Sequence, residues 1–134
     1  MGIFNFHKSH NANLPDAQKR WNKMWDLWSA GHADSPYAEL MTYQSEINNG
    51  GHGQYFLNTR NTCDLQQELS VLEAILPLKL QKNLENAYHA YLTLMIDDSD
   101  EKANVTLNQC DDEFYQSEEE IDHILREYAS EIEL

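Results

Sequence analysis

Two groups of residues in this 134-residue chain have types and spacings that could do chemistry. The first is the run Glu46-Ile47-Asn48-Asn49-Gly50-Gly51-His52-Gly53-Gln54-Tyr55-Phe56-Leu57-Asn58. Glycine adopts positive φ freely and asparagine does so better than most, so the run suits a sharp break between two helices. Asn48, Asn49, Gln54 and Asn58 can then hydrogen-bond the exposed main-chain ends, while Tyr55 and Phe56 return rings to the core. A structural corner is the favoured reading. A ligand pocket is the minority one, with Glu46 and His52 flanking the glycines as an acid–base pair. No nucleophile motif or oxyanion-hole glycine pattern accompanies that pair, and no phosphate-binding glycine loop follows a strand. Catalysis is the least supported class.

The second group is acidic. Residues 91–134 hold fourteen acids against Lys102 and Arg126, within a chain of net charge −14. Residues 1–33 carry a small positive excess, with Lys8, Lys19, Arg20 and Lys23. Such a balance excludes binding nucleic acid through a broad basic face and disfavours an anionic membrane surface. Cations or basic proteins are the natural partners. Glu120, Glu127 and Glu131 fall on one outer helical stripe, with Glu118, Glu119 and Asp122 beside it. Asp97, Asp98, Asp100, Glu101, Asp111 and Asp112 can extend that stripe from a neighbouring loop. Carboxylates four residues apart on a helix sit ~6 Å apart along its axis, within the range of phosphate spacings along a strand. A rigid acidic face can attract the Lys/Arg surface of a DNA-binding protein and release its counterions, as DNA does. The competing reading is an acidic surface that serves solubility alone.

Metal chemistry fares worse. Asp98-Ser99-Asp100 begins like a calcium loop, but Lys102 takes a ligand position and Ala103 replaces the turn glycine. His7-x-x-His10 supports transient metal binding at most, and His32, His89 and His123 are isolated. Cys63 and Cys110 lack a C-x-x-C partner and read as reduced thiols. No cofactor and no metal is expected.

The elements that must position these residues read as helices. Trp21, Met24, Trp25 and Trp28 follow i, i+3, i+4, i+7 in a helix from about Pro15 to Ala30. A second begins at Pro36 and stops at Asn48-Asn49-Gly50-Gly51, and a short helix around Gln54–Leu57 follows. Asp64 and Gln67 form a capping box before Leu65, Leu69 and Leu72, and Pro77 breaks or restarts the chain. The next helix runs to about Met95, and Asp97–Glu101 is a surface loop. A last helix starts near Asp111, burying Phe114, Ile121, Leu125 and Tyr128. The expected fold is all-α, one compact domain of about five to seven helices over residues 14–134, with residues 1–13 as a flexible tail. No membrane span and no signal peptide stands out, which suggests a cytoplasmic protein.

The pattern E-x-N-N-G-G-x-x-Q-[YF]-F-x-N, here Glu46 to Asn58, resembles the signature of a bacterial all-helical family named after a DNA-mimic protein. Asp111-Asp112-Glu113-Phe114-Tyr115 ahead of an amphipathic helix is similar to that family's C-terminal pattern. The resemblance covers roughly residues 15–130. It implies an all-helical fold and a module that occupies the DNA-binding face of a transcription factor or nucleoid protein. The family usually carries an aromatic residue after the two glycines, where this chain has His52 and then Gly53. That departure implies a kept turn with either looser packing or a surface-facing position. An immunity-type inhibitor of a basic toxin is the alternative within the binding class, a small enzyme using the Glu46–Asn58 corner lies outside it, and a homodimer is compatible with either.

Overall fold

A computed structural model describes residues 13–134. Among the described residues the chain forms five helices and no strand: α1 Asp16–Ser29, α2 Tyr37–Thr62, α3 Leu65–Ile75, α4 Leu78–Ile96 and α5 Glu101–Ser130. The all-α, single-domain expectation is met. The tail assigned to residues 1–13, Asn13 excepted, and the His7-x-x-His10 pair lie outside the described residues.

Local chemistry starts each helix. Pro15, Pro36 and Pro77 stand immediately before α1, α2 and α4, where a fixed φ suits the entry and no N–H is missed. The Asp64 carboxylate accepts from the Gln67 amide at 3.3 Å to cap α3. Asp100 caps α5 in the same way, accepting from the Ala103 amide at 2.9 Å. This cap corrects the expected start of the last helix near Asp111. Asn104, Val105, Thr106 and Asn108 are weak helix formers, so the sequence understates the stretch. Packing against α4 overrides that preference. Ala103 and Cys110 are buried, and the buried Asn83 amide of α4 donates to the Cys110 carbonyl at 2.8 Å.

α5 is the spine, contacted by α1, α2 and α4, while α3 packs on α2. Its inward stripe of Cys110, Phe114, Ile121, Leu125 and Tyr128 joins one core with Leu40, Tyr43, Ile47 and Phe56 of α2 and Leu80, Leu84 and Tyr91 of α4. α1 lies on the outside of this assembly. Met24 is fully buried, and Trp21, Trp25 and Trp28 cover the core edge to face, at centroid distances of 6.3 and 5.3 Å. The Trp28 indole N–H donates to the Thr42 hydroxyl, and the Arg20 guanidinium to the Ile132 carbonyl beyond the end of α5.

The expected corner takes a tighter form than two helices with a stop between them. Gly51 alone leaves the helical region, at φ 80° and ψ −178°, and the chain resumes helix at once as far as Thr62. That backbone region is populated essentially by glycine. A side chain there would also meet Asp111, whose Oδ2 would lie 2.4 Å from an added Cβ. At Gly50, whose φ is not positive, an added Cβ meets the Gln54 side chain, from Oε1 in to Cβ at 3.0 Å, which must swing off Glu46 while the helix gains from alanine. Gly51→Ala is therefore expected to lower stability by about 1–3 kcal/mol in urea unfolding. Gly50→Ala should stay within about 1 kcal/mol of wild type. Equal effects at the two positions would contradict this assignment.

Candidate functional site

The break at Gly51 leaves the amides that begin the second half of α2 without carbonyl partners, and α5 supplies one. Asp111 Oδ1 accepts from the His52 backbone N–H at 2.8 Å and from the His52 ring at Nδ1, 2.7 Å away. The carboxylate thus caps a helix in another part of the chain, at the end where the helix dipole favours negative charge. In the neutral imidazole, Nδ1 donating to Asp111 leaves Nε2 to accept from the Tyr43 hydroxyl, 2.6 Å away. Tyr43 and His52 are both fully buried, and each polar atom of the pair has a partner. The His52 position is neither loose nor surface-facing. The ring sits among Tyr43, Phe56 and Phe114.

Three corner expectations need correcting. Glu46 and His52 do not pair, because His52 turns inward to Asp111 while Glu46 accepts from Gln54 at 3.0 Å and Asn58 at 2.9 Å. Gln54 and Asn58 therefore bind a side chain across the bend and not main-chain ends. Asn48 also reaches a side chain, Glu118 of α5, at 2.7 Å. The main-chain end that needs a partner, the Ile47 carbonyl, receives the Tyr115 hydroxyl at 2.9 Å. Asn49 is exposed, and Phe56 is buried in the core as expected.

The order carboxylate, imidazole, hydroxyl is that of a hydrolytic triad, but the chemistry is the reverse. Burial, with Tyr55, Cys110 and Asp111 nearby, pushes the Tyr43 phenol well above its ordinary value. A hydroxyl that is buried and harder to ionise is no nucleophile. The corner is a fully bonded polar joint.

The acids distribute differently from the expected single stripe. At ~100° per residue, Glu118 and Asp122 lie roughly 200° around α5 from Glu120. They flank α2, where Gln44 donates to both, at 3.0 and 2.8 Å, and Asn48 joins Glu118. Glu120, Glu127 and Glu131 are exposed on the other flank, and Glu119 points outward between the two, 3.0 Å from Arg126. Glu127 lies 3.5 Å from His123. Asp97, Asp98, Asp100 and Glu101 do not extend this group from next door. They stand at the far end of the same helix, ~27 Å along the axis from Glu119. Asp100 is used as the cap of α5. Asp97 accepts from the Ser99 hydroxyl and amide, which hold its carboxyl below the ordinary range. Asp111, Asp112 and Glu113 fill the interval, and the acids form a spine wrapping the solvent side of α5.

In the sequence Asp111 reads as an outer acid, as the start of the last helix and, with Tyr115, as part of the family-like pattern, and none of these gives the inward contacts of Asp111, Tyr115, Tyr43 or Gln44. A histidine at a position that favours buried aromatics was the available signal, because a buried imidazole needs partners for both nitrogens. Among the described residues, no group of three or more His, Cys, Asp or Glu side chains is arranged to hold a metal ion. No helix there is long and apolar enough to cross a membrane.

Two outcomes follow from the joint. Tyr43→Phe and His52→Phe should each cost about 1–3 kcal/mol by leaving the other's polar atom unpaired in the core. The double variant should cost less than the sum, measured as a double-mutant cycle in urea; additive costs would show that the pair does not interact. Tyr43 and Tyr55 are also both held neutral in the fold above the ordinary phenol value, chiefly by burial. The unfolded chain ionises first, so this stability is complete below ~pH 10 and lost as pH rises beyond it. Phenolate absorbance of these two rings should appear together with the loss of helical circular dichroism. Full ionisation of every tyrosine with the helices intact would contradict their burial.

Compared with known proteins, the chain matches the DMP19-like protein family over residues 36–132. No curated protein and no solved structure matches it. The matched span takes in α2 to α5, and with them the Gly51 corner, the Asp111 joint and the acidic spine, while α1 lies outside it. On that match over most of its length, the chain belongs to the DMP19-like protein family.

Proposed function

We propose that this protein is a protein-binding module that presents α5 to the DNA-binding surface of a basic protein, acting as a DNA mimic. The observation that carries the reading is how the carboxylates of α5 are held. Glu118 and Asp122 are fixed by the neutral amides of Gln44 and Asn48, which set their positions without cancelling their charge. Lysine or arginine in those places would fix them equally well and neutralise them. Glu120 and Glu131 stand exposed, and Asp111 is locked to His52. The result is a negative surface on a preorganised helix and not a floppy acidic tail.

The dimensions fit the task. Thirty residues of helix extend ~45 Å. A duplex of that length carries ~26 phosphates, of which a protein docked on one side meets only part. The carboxylates from Glu101 to Glu131, with Asp97 and Asp98 at the turn, stand along the same length, wrapped around the helix and densest from Asp111 onward. Family membership supports the same reading. The partner is a transcription factor or nucleoid protein with a Lys/Arg surface, and counterion release makes the contact sensitive to salt.

The test uses host proteins retained on immobilised duplex DNA. Wild-type protein should release a specific subset at moderate salt and remain bound to it after purification. Glu119, Glu120, Glu127 and Glu131 changed together to Gln should fold as wild type, because exposed charges contribute under ~1 kcal/mol each. That variant should release the subset at least about tenfold less effectively, and its residual binding should respond less to salt. If the quadruple variant competes with DNA as well as wild type, or if DNA and protein occupy the partner together, mimicry by this face is excluded.

A further inference from the structure

A groove of about 620 Å³ runs between α1 and the C-terminal end of α5, within the size range of small-molecule sites. It exists because the residues lining it include Ala17, Ala129 and Ser130, too small to fill the space between the helices. Trp21 contributes an aromatic wall, held edge-on to Trp25 at 69°. Basic side chains are concentrated here relative to the rest of the protein, although Glu119 pairs with Arg126 from beside the groove at 3.0 Å. Arg20 and Arg126, two of only nine basic residues, both line the groove, against the single carboxylate of Asp122. Gln44 holds that carboxylate at 2.8 Å and leaves its charge in place. Arg20 donates to the uncharged Ile132 carbonyl and Arg126 to Glu119, and each guanidinium keeps further N–H donors beyond the one so used.

We infer that this groove is a binding site for an aromatic monoanion, a flat apolar ring carrying one carboxylate or sulfonate. The ring packs on Trp21 and the small side chains, and the anionic group meets Arg20 and Arg126. Guanidinium groups both pair with carboxylates and stack on aromatic rings, so the two arginines suit both parts of such a ligand. A cation of the same shape would be drawn to the protein by its net charge but would meet the two arginines at the groove. Discrimination between the two signs is therefore local. The inference needs no protein partner and goes beyond DNA mimicry, although the groove shares Asp122 with the acidic surface and Arg126 pairs with Glu119 of it.

The experiment titrates naphthoate, naphthylmethanol and naphthylmethylamine into the full chain and follows the three tryptophan indole N–H signals by NMR. Naphthoate should move the Trp21 signal saturably, with the alcohol binding roughly tenfold more weakly, equivalent to ~1.4 kcal/mol, and the amine leaving Trp21 unmoved. Arg126→Gln should weaken naphthoate binding roughly tenfold. Ala17→Leu, which fills the groove from an exposed position, should abolish it. Both changes are at exposed residues, and an unchanged spectrum elsewhere confirms the fold. An unmoved Trp21 signal, no saturation at millimolar concentration, equal binding of the amine, or wild-type binding by Ala17→Leu would each overturn the proposal.

Discussion

The structure depends on the contact between Asp111 and the chain just after Gly51. A long helix that reverses its path must break, and a break strands amide groups that cannot be left unpaired near the core. Gly51 makes the break possible because it alone tolerates that backbone conformation beside a carboxylate. Asp111 makes it stable by accepting from the stranded amide and from the His52 ring together. His52 then carries the contact inward to the Tyr43 hydroxyl, so one acceptor on α5 organises both halves of α2. Remove the carboxylate, and a backbone amide and a buried imidazole lose their partner at once.

Around this joint the remaining polar residues of the corner act as clamps between specific pairs of elements. Glu46, from before the bend, holds Gln54 and Asn58, from after it, which fixes the bend angle. Gln44 and Asn48 hold Glu118 and Asp122, which fixes the rotation of α5 against α2. Tyr115 closes the account at the Ile47 carbonyl. The same contacts that settle the fold therefore settle where the acids of α5 stand. The glycine run thus acts through its hydrogen bonds on the surface that the acidic helix presents.

The fold class, four of the helix starts and the inward stripe of α5 were legible because they rest on local signals: proline and aspartate at helix entries, and apolar residues at helical spacing. The first half of α5 was not legible. Asn104, Val105, Thr106 and Asn108 dilute the good helix formers among residues 101–110. Packing on α4 through Ala103, Cys110 and the Asn83 side chain adds to the Asp100 cap in holding the helix. The acids were legible as a concentration of charge but not as an arrangement. Glu118 and Asp122 are neighbours of Glu120 in sequence but ~200° away around the helix, which helical spacing gives; only the position of α2 shows that they face Gln44 and Asn48. His52 was the hardest residue to place. Its burial depends on Asp111, fifty-nine positions away, and no local pattern joins the two.

Since the account turns on one carboxylate coupling two elements, amide hydrogen exchange in the Asp111→Ala variant tests it most directly. The variant removes the acceptor while leaving the apolar stripe of α5 and the glycine break unchanged. In that variant α2 from His52 to Thr62 and the middle of α5 should lose protection together, while α4 around Leu80 and Leu84 keeps most of its own. Wild-type protection at His52 in that variant, or loss confined to α5, would contradict the claim that Asp111 joins the two halves of α2 to the acidic helix.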